Sequence, residues 1–197
     1  MRLFRMPVLS LYVILLSMLL SACAIEPTRN STEPDVKDIV VDSDVQQEFD
    51  RAVQSLNEQE YDKAIALLNS VIEKEQRLPA PYINLAMAYR YKDDDKQAEE
   101  YLMKALDIDL AHPVANNELG LLYRKLGRFD DARKAYTNAL TKNPDYLPVI
   151  KNLGILCDLY IRDLECALEQ YEKYQEEVPG DKSVQIWIAD LKSRMGS

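Results

Sequence analysis

Few residues of this chain have the type and spacing that chemistry requires. Its single histidine, His112, sits in the stretch DLAHPV, so a histidine pair for a metal cannot be built within one chain. No glycine-rich phosphate loop, HExxH or GxSxG occurs. The run Asp93-Asp94-Asp95 lacks the alternating spacing and closing glutamate of a calcium loop. It reads as a solvated turn in which Asp95 caps the helix that follows. An enzyme is not expected on this inventory, nor are a cofactor, a metal or a small-molecule substrate. Three cysteines are left. Cys157 and Cys166 are nine residues apart and suit either a disulfide or two small core residues that stay reduced. Cys23 stands alone, closing an apolar stretch near the start.

That stretch reads MRLFRMPVLSLYVILLSMLLSAC. Arg2 and Arg5 give it a positive beginning, and Val8 to Leu20 are apolar apart from Ser10 and Ser17. The apolar run falls short of the ~18 residues of a spanning helix and has the length of a signal-peptide core. Leu20-Ser21-Ala22-Cys23 resembles the lipobox of bacterial lipoproteins, in which small residues admit a peptidase and the thiol attacks a diacylglyceryl donor. The resemblance implies that residues 1–22 are a signal peptide removed in the mature protein and that Cys23 becomes a lipidated N-terminus. Ala24, where an aspartate would be an alternative, resembles lipoproteins sent to the outer membrane. The expectation is an anchor in that membrane, facing the periplasm; an ordinary secretory signal or an uncleaved anchor are the other readings.

Removing Met1–Ala22 takes two arginines and no acid from a chain of formal charge −9, leaving −11. Such a surface excludes nucleic acid and broad contact with anionic headgroups. Residues 23–44, with Pro27 and Pro34 among acids and hydroxyls, show no sustained period and read as a flexible acidic tether.

From there a period of 34 organises the sequence. NLAMAYR begins at Asn84, ELGLLYR at Glu118 and NLGILCD at Asn152. The alanines Ala64, Ala98, Ala132 and Ala167 form a second series, spaced 34, 34 and 35. The two interleaved series resemble the tetratricopeptide repeat, a helix–turn–helix unit of 34 residues. The resemblance implies an all-α fold: a solenoid of about four repeats (45–78, 79–112, 113–146 and 147–180) closed by a capping helix over 181–197. In that helix Val184, Trp187, Ile188, Leu191 and Met195 share a face, and Asp181 or Ser183 caps its start. Glycine is scarce and proline falls between helices: Pro79 and Pro113 open them, Pro144 and Pro179 follow them. The spacing of 35 places one extra residue around Ile161–Leu164, which predicts a longer turn there.

By the same resemblance, the first helices of successive repeats line a concave groove for a protein or peptide segment. Carrying the motif over residue by residue gives Ile83, Met87, Arg90 and Tyr91 in the second repeat. The third contributes Asn117, Leu121, Arg124 and Lys125, and the fourth Lys151, Ile155 and Leu159. Arg90, Arg124, Lys125 and Lys151 would gather positive charge on one surface of an acidic chain, suited to an acidic partner segment. Three roles stay open: an adaptor that scaffolds an envelope complex, a pilotin-like chaperone for a pilus or secretion subunit, and a regulator docking cell-wall hydrolases.

Overall fold

The computed structural model describes residues 39–196, all within the compact unit Asp38–Ser197. The signal segment, Cys23 and the tether up to residue 38 lie outside the described residues. Among the described residues the regular structure is helical throughout.

Four helical hairpins follow one another. Helix α1 (Ser43–Asn57) pairs with α2 (Tyr61–Lys74), α3 (Pro79–Tyr91) with α4 (Asp95–Ile108), and α5 (Pro113–Lys125) with α6 (Phe129–Lys142). The fourth pair is α7 (Leu147–Leu156), prolonged by a π-turn at Cys157–Ile161, and α8 (Leu164–Glu177). Helix α9 (Lys182–Met195) ends the series. Proline in the first turn opens α3, α5 and α7, where its missing N–H costs nothing. Each hairpin turns at one residue of positive φ: Gln59 (62°), Asp93 (59°), Gly127 (73°) and Arg162 (62°). Their spacing is the repeat itself, so one left-handed step is reused at every corner, with glycine at only one.

Two local expectations are corrected. The cap of α4 is Asp94, whose carboxylate accepts the N–H of Gln97 at 3.1 Å. Asp95 lies one position too far in to reach that donor and instead pairs with Lys125. The extra residue of the fourth repeat does not lengthen a turn. It is absorbed inside the first helix as the π-turn, where a wider hydrogen-bond ring holds one more residue per turn. The corner itself is then shorter, only Arg162 and Asp163.

Small residues on the first helix of each hairpin receive bulky ones from the second. A methyl added at Gly120 would lie 2.6 Å from Cδ1 of Tyr136, and one at Gly154 2.6 Å from Cε1 of Tyr171. Both tyrosines are almost fully buried. Repeat two uses Ala86 and Leu102 at the same positions, both within the core. The 34-residue period is therefore a packing rule: a smaller residue on a hairpin's first helix goes with a larger one on its second. A disulfide joins Cys157 to Cys166, with Cα atoms 5.9 Å apart, tying the π-turn to the first turn of α8.

Helix α9 covers the end of the stack. Val184 and Leu191 are fully buried, and the half-buried Trp187 ring sits 5.3 Å from that of Tyr171. Asp181 caps α9 by accepting from the N–H groups of Ser183 and Val184, and Arg194 pairs with Asp158 of the π-turn at 2.5 Å. Met195, expected on the buried face, is exposed at the last turn, just before the left-handed cap Gly196.

Candidate functional site

The first helices of successive hairpins (α1, α3, α5, α7) touch one another directly, whereas successive second helices have no comparable contact. A stack whose members are closer on one side curves toward that side, so these helices form its inner face. The candidate site is built on them.

Repeat-equivalent positions show what this face is made of. At the end of each first helix one residue meets the start of the preceding second helix. There Tyr91 stacks on Tyr61 (ring centroids 5.3 Å apart), Lys125 pairs with Asp95 at 2.8 Å, and Tyr160 tilts against Phe129 at 5.1 Å. A strict 34-residue step from Lys125 leads to Leu159. The π-turn moves the register by one, so Tyr160 makes the contact and Leu159 is left exposed.

A second position carries charge. Arg90 on α3 faces Glu118 on α5 at 3.1 Å, an ion pair whose angle falls short of a hydrogen bond, so Arg90 Nε and Glu118 Oε2 stay buried without hydrogen-bond partners. One repeat on, the cation is Arg124 and the position of Glu118 is taken by Asn152, whose amide donates to Asn117 at 2.9 Å. Arg124 lies over the Tyr160 ring at 5.7 Å, its Nη1 is buried without a hydrogen bond, and no carboxylate among the described residues pairs with it. One repeat further the position holds Asp158, which receives Arg194.

The remaining predicted cations are already engaged. Lys125 bridges Asp93 and Asp95, which raise its pKa, and Lys151 donates to Asp181 at 2.8 Å, which raises its own. Lys151 also lies over the rings of Tyr174 and Trp187. Ile83 and Asn117 are buried, which leaves them little surface to offer a ligand. Met87, Leu121 and Ile155 are half-buried and form the apolar floor. Tyr91 is 50% exposed.

Two groups escaped sequence reading. One is an open cavity of about 260 Å³ at the junction of the first two repeats, lined by Val53, Leu56, Tyr61, Asn84, Met87 and Tyr91. Its aromatic wall needs the contact between Tyr61 and Tyr91, which pattern alone does not pair. The other is Tyr136, fully buried, whose hydroxyl has no hydrogen-bond partner. Burial pushes its pKa up, Arg124 pulls it down and Glu118 raises it, so the hydroxyl sits among the charges of α5. The signal for Glu118 and Asn152 was available: they begin ELGLLYR and NLGILCD, the segments that define the period.

Comparison with known proteins fits this architecture. The tetratricopeptide-repeat family model matches residues 80–112 and 113–146. Among curated proteins, SPINDLY of Solanum lycopersicum, a probable UDP-N-acetylglucosamine–peptide N-acetylglucosaminyltransferase, is 27% identical over 90 residues, 46% of this chain and 10% of that one. The chain spans about a tenth of the length of the curated relatives it matches. Among solved structures, Pseudomonas aeruginosa PilF superposes with a TM-score of 0.70 at 22% identity, over 77% of this chain and 68% of that one. The first tetratricopeptide domain of Spaghetti (RPAP3), bound to the HSP90 peptide SRMEEVD, superposes at 0.55 with 19% identity, over 60% of this chain and 96% of that one. Two consecutive hairpins thus carry the sequence of the tetratricopeptide repeat, and the described residues as a whole form a tetratricopeptide-repeat solenoid.

Proposed function

We propose that this chain is a lipid-anchored periplasmic adaptor that holds an extended segment of a protein partner along the inner face of α1, α3, α5 and α7, and so gathers the parts of an envelope complex. The observation that carries the reading is the open cavity at Tyr61, Met87 and Tyr91; Leu121 and Ile155, half-buried, hold the position of Met87 on the next two first helices. Apolar contact there supplies most of the affinity, and charge sets orientation. The Spaghetti domain lends support, since a domain of similar fold is bound there to a peptide. Attachment through Cys23 to the outer membrane completes the reading: several acyl chains, at about 0.8 kcal/mol per buried CH2, hold the adaptor at the bilayer, and the segment between Cys23 and α1 links them to the solenoid.

Two measurements test it. A photo-crosslinking residue at Met87 should trap a defined partner in intact cells, and the same residue at the outer-face position Lys134 should not. Equal trapping at both positions refutes the inner-face assignment. Cys23→Ser should abolish labelling by radioactive fatty acid and leave a precursor; a labelled, normally matured variant removes the lipid anchor.

A further inference from the structure

Resting on the adaptor reading, we infer that the inner face selects an internal partner segment with an apolar residue and, five or six positions from it, a single aspartate or glutamate: the apolar side chain fills the cavity at Tyr61, Met87 and Tyr91, and the carboxylate seats on Arg124. The first half follows from shape. The cavity of about 260 Å³ has Val53, Leu56 and Met87 in its wall beside the stacked pair Tyr61 and Tyr91, with Asn57, Gln59 and Asn84 as its polar part, and has room for one aliphatic side chain.

The second half follows from charge accounting along the repeats. Arg90 has Glu118, Lys125 has Asp93 and Asp95, and Lys151 has Asp181. Each of these cations is neutralised by its own chain, so the face does not present a basic strip and does not call for a string of acids. Arg124 is the exception, because Asn152 stands where its carboxylate partner would be. Its Nη1 is buried with no acceptor, and the fully buried Tyr136 hydroxyl beside it also lacks a partner. Leaving a buried donor unsatisfied is unfavourable, and a carboxylate seated on Arg124 gives its guanidinium the acceptor the chain withholds.

Spacing joins the halves. The cavity lies between α1 and α3, and Arg124 on α5 faces α7, where it lies over Tyr160. The two anchors are thus two steps of the stack apart, each of about 8–10 Å between packed axes. An extended chain advances about 3.3 Å per residue, so they are about five to six residues apart. The ligand is internal and not a chain end: the inner face runs on past Arg124 to Ile155 and Lys151, and a lone cation suits a side-chain carboxylate better than a terminus bearing further charge.

A phage-displayed library of random dodecapeptides, selected on the full-length chain, provides the test. The expected result is enrichment of an apolar residue and an acidic one five or six positions apart. An amide-blocked serine decapeptide carrying leucine and glutamate five positions apart, in the enriched order, should then bind about tenfold more tightly by fluorescence anisotropy than its glutamine counterpart. It should also outbind peptides with the pair one or two positions apart. Arg124→Gln should erase the glutamate advantage while keeping the leucine one, and Met87→Ala the reverse, with both variants retaining wild-type far-UV dichroism. Enrichment of a pattern without an acid, or equal glutamate advantage in Arg124→Gln, overturns the inference and leaves the adaptor reading standing. No enrichment at all overturns both.

Discussion

The packing rule behind the repeat can be tested at Gly120. Replacing it by alanine puts a methyl 2.6 Å from Cδ1 and 2.7 Å from Cζ of Tyr136, and nearer still to Cε1. The ring cannot retreat, being fully buried between α5 and α6. Overpacking of this kind costs about 1–3 kcal/mol, and contact with three ring atoms places Gly120→Ala near the upper end. Alanine regains about 1 kcal/mol over glycine as a helix former, so a net loss of about 2 kcal/mol is expected. For a domain of this size that lowers the melting temperature by about 4–8 °C. Tyr136→Leu alone leaves space above Gly120 and should also destabilise. The double variant recreates the Ala86 and Leu102 arrangement of the second repeat, so it should be more stable than the sum of the single changes predicts. The coupling should lie within the 0.5–3 kcal/mol seen for contacting residues. Thermal and urea unfolding of the four proteins, followed by far-UV dichroism, measures it. Additive effects, or a Gly120→Ala variant as stable as wild type, would refute the packing rule.

Three further outcomes follow from local features. Gly127 has a φ of 73° and open space where a Cβ would go, so Gly127→Ala should cost about 1 kcal/mol through backbone strain alone; an unchanged unfolding midpoint contradicts this. The Cys157–Cys166 bridge closes a loop of sequence separation nine, worth about 2–3 kcal/mol by chain entropy, so a reduced sample or a Cys157→Ser/Cys166→Ser variant should melt several degrees lower. His112 caps α5 with Nδ1 accepting from Ala115 N–H at 3.4 Å, and burial lowers its pKa despite the opposing pull of Asp109. The unfolded chain therefore binds the proton more readily. The stability from neutral His112 is complete above about pH 6.5 and is lost as pH falls through the lower folded value, a dependence that His112→Asn should flatten in denaturant titrations.

The fold was legible because the same solution is written four times. A helix packing against copies of itself must place small and large residues at fixed intervals, and Gly120 with Tyr136 or Ala86 with Leu102 display that in the sequence itself. What escaped reading depends on single-residue shifts and on pairs between repeats. Nothing in CDLYIRDL says whether an added residue widens a helix turn or lengthens a loop. The answer lies in the fit of Tyr160 against Phe129 and the tie between Cys157 and Cys166. The cap of α4 failed for a similar reason: three aspartates in a row are equal in pattern, and only the hairpin geometry picks Asp94 for the helix and Asp95 for Lys125. The inner-face cations were found by position, yet their partners lie 28 to 32 residues away on other helices, and composition cannot show that three of four are neutralised.

Repetition also explains how a chain with no catalytic inventory acquires a specific place on its surface. Where every repeat satisfies the same contacts, the inner face offers no single preferred spot. Specificity arises where one copy departs. Asn152 in the position of Glu118 leaves Arg124 unpaired, and Tyr61 with Tyr91 opens a cavity where the next repeat closes the same corner with Lys125 and Asp95. Both departures fall on the inner face, one between α1 and α3 and the other between α5 and α7. Restoring the rule should therefore erase the site while sparing the fold: Asn152→Glu would supply Arg124 with the carboxylate that Arg90 already has. Its unfolding midpoint should be equal to wild type or higher, since a buried cation gains a partner, while binding of the glutamate peptide falls about tenfold, to the level of the glutamine one. A variant that binds as before would show that the gap opposite Arg124 has no part in recognition.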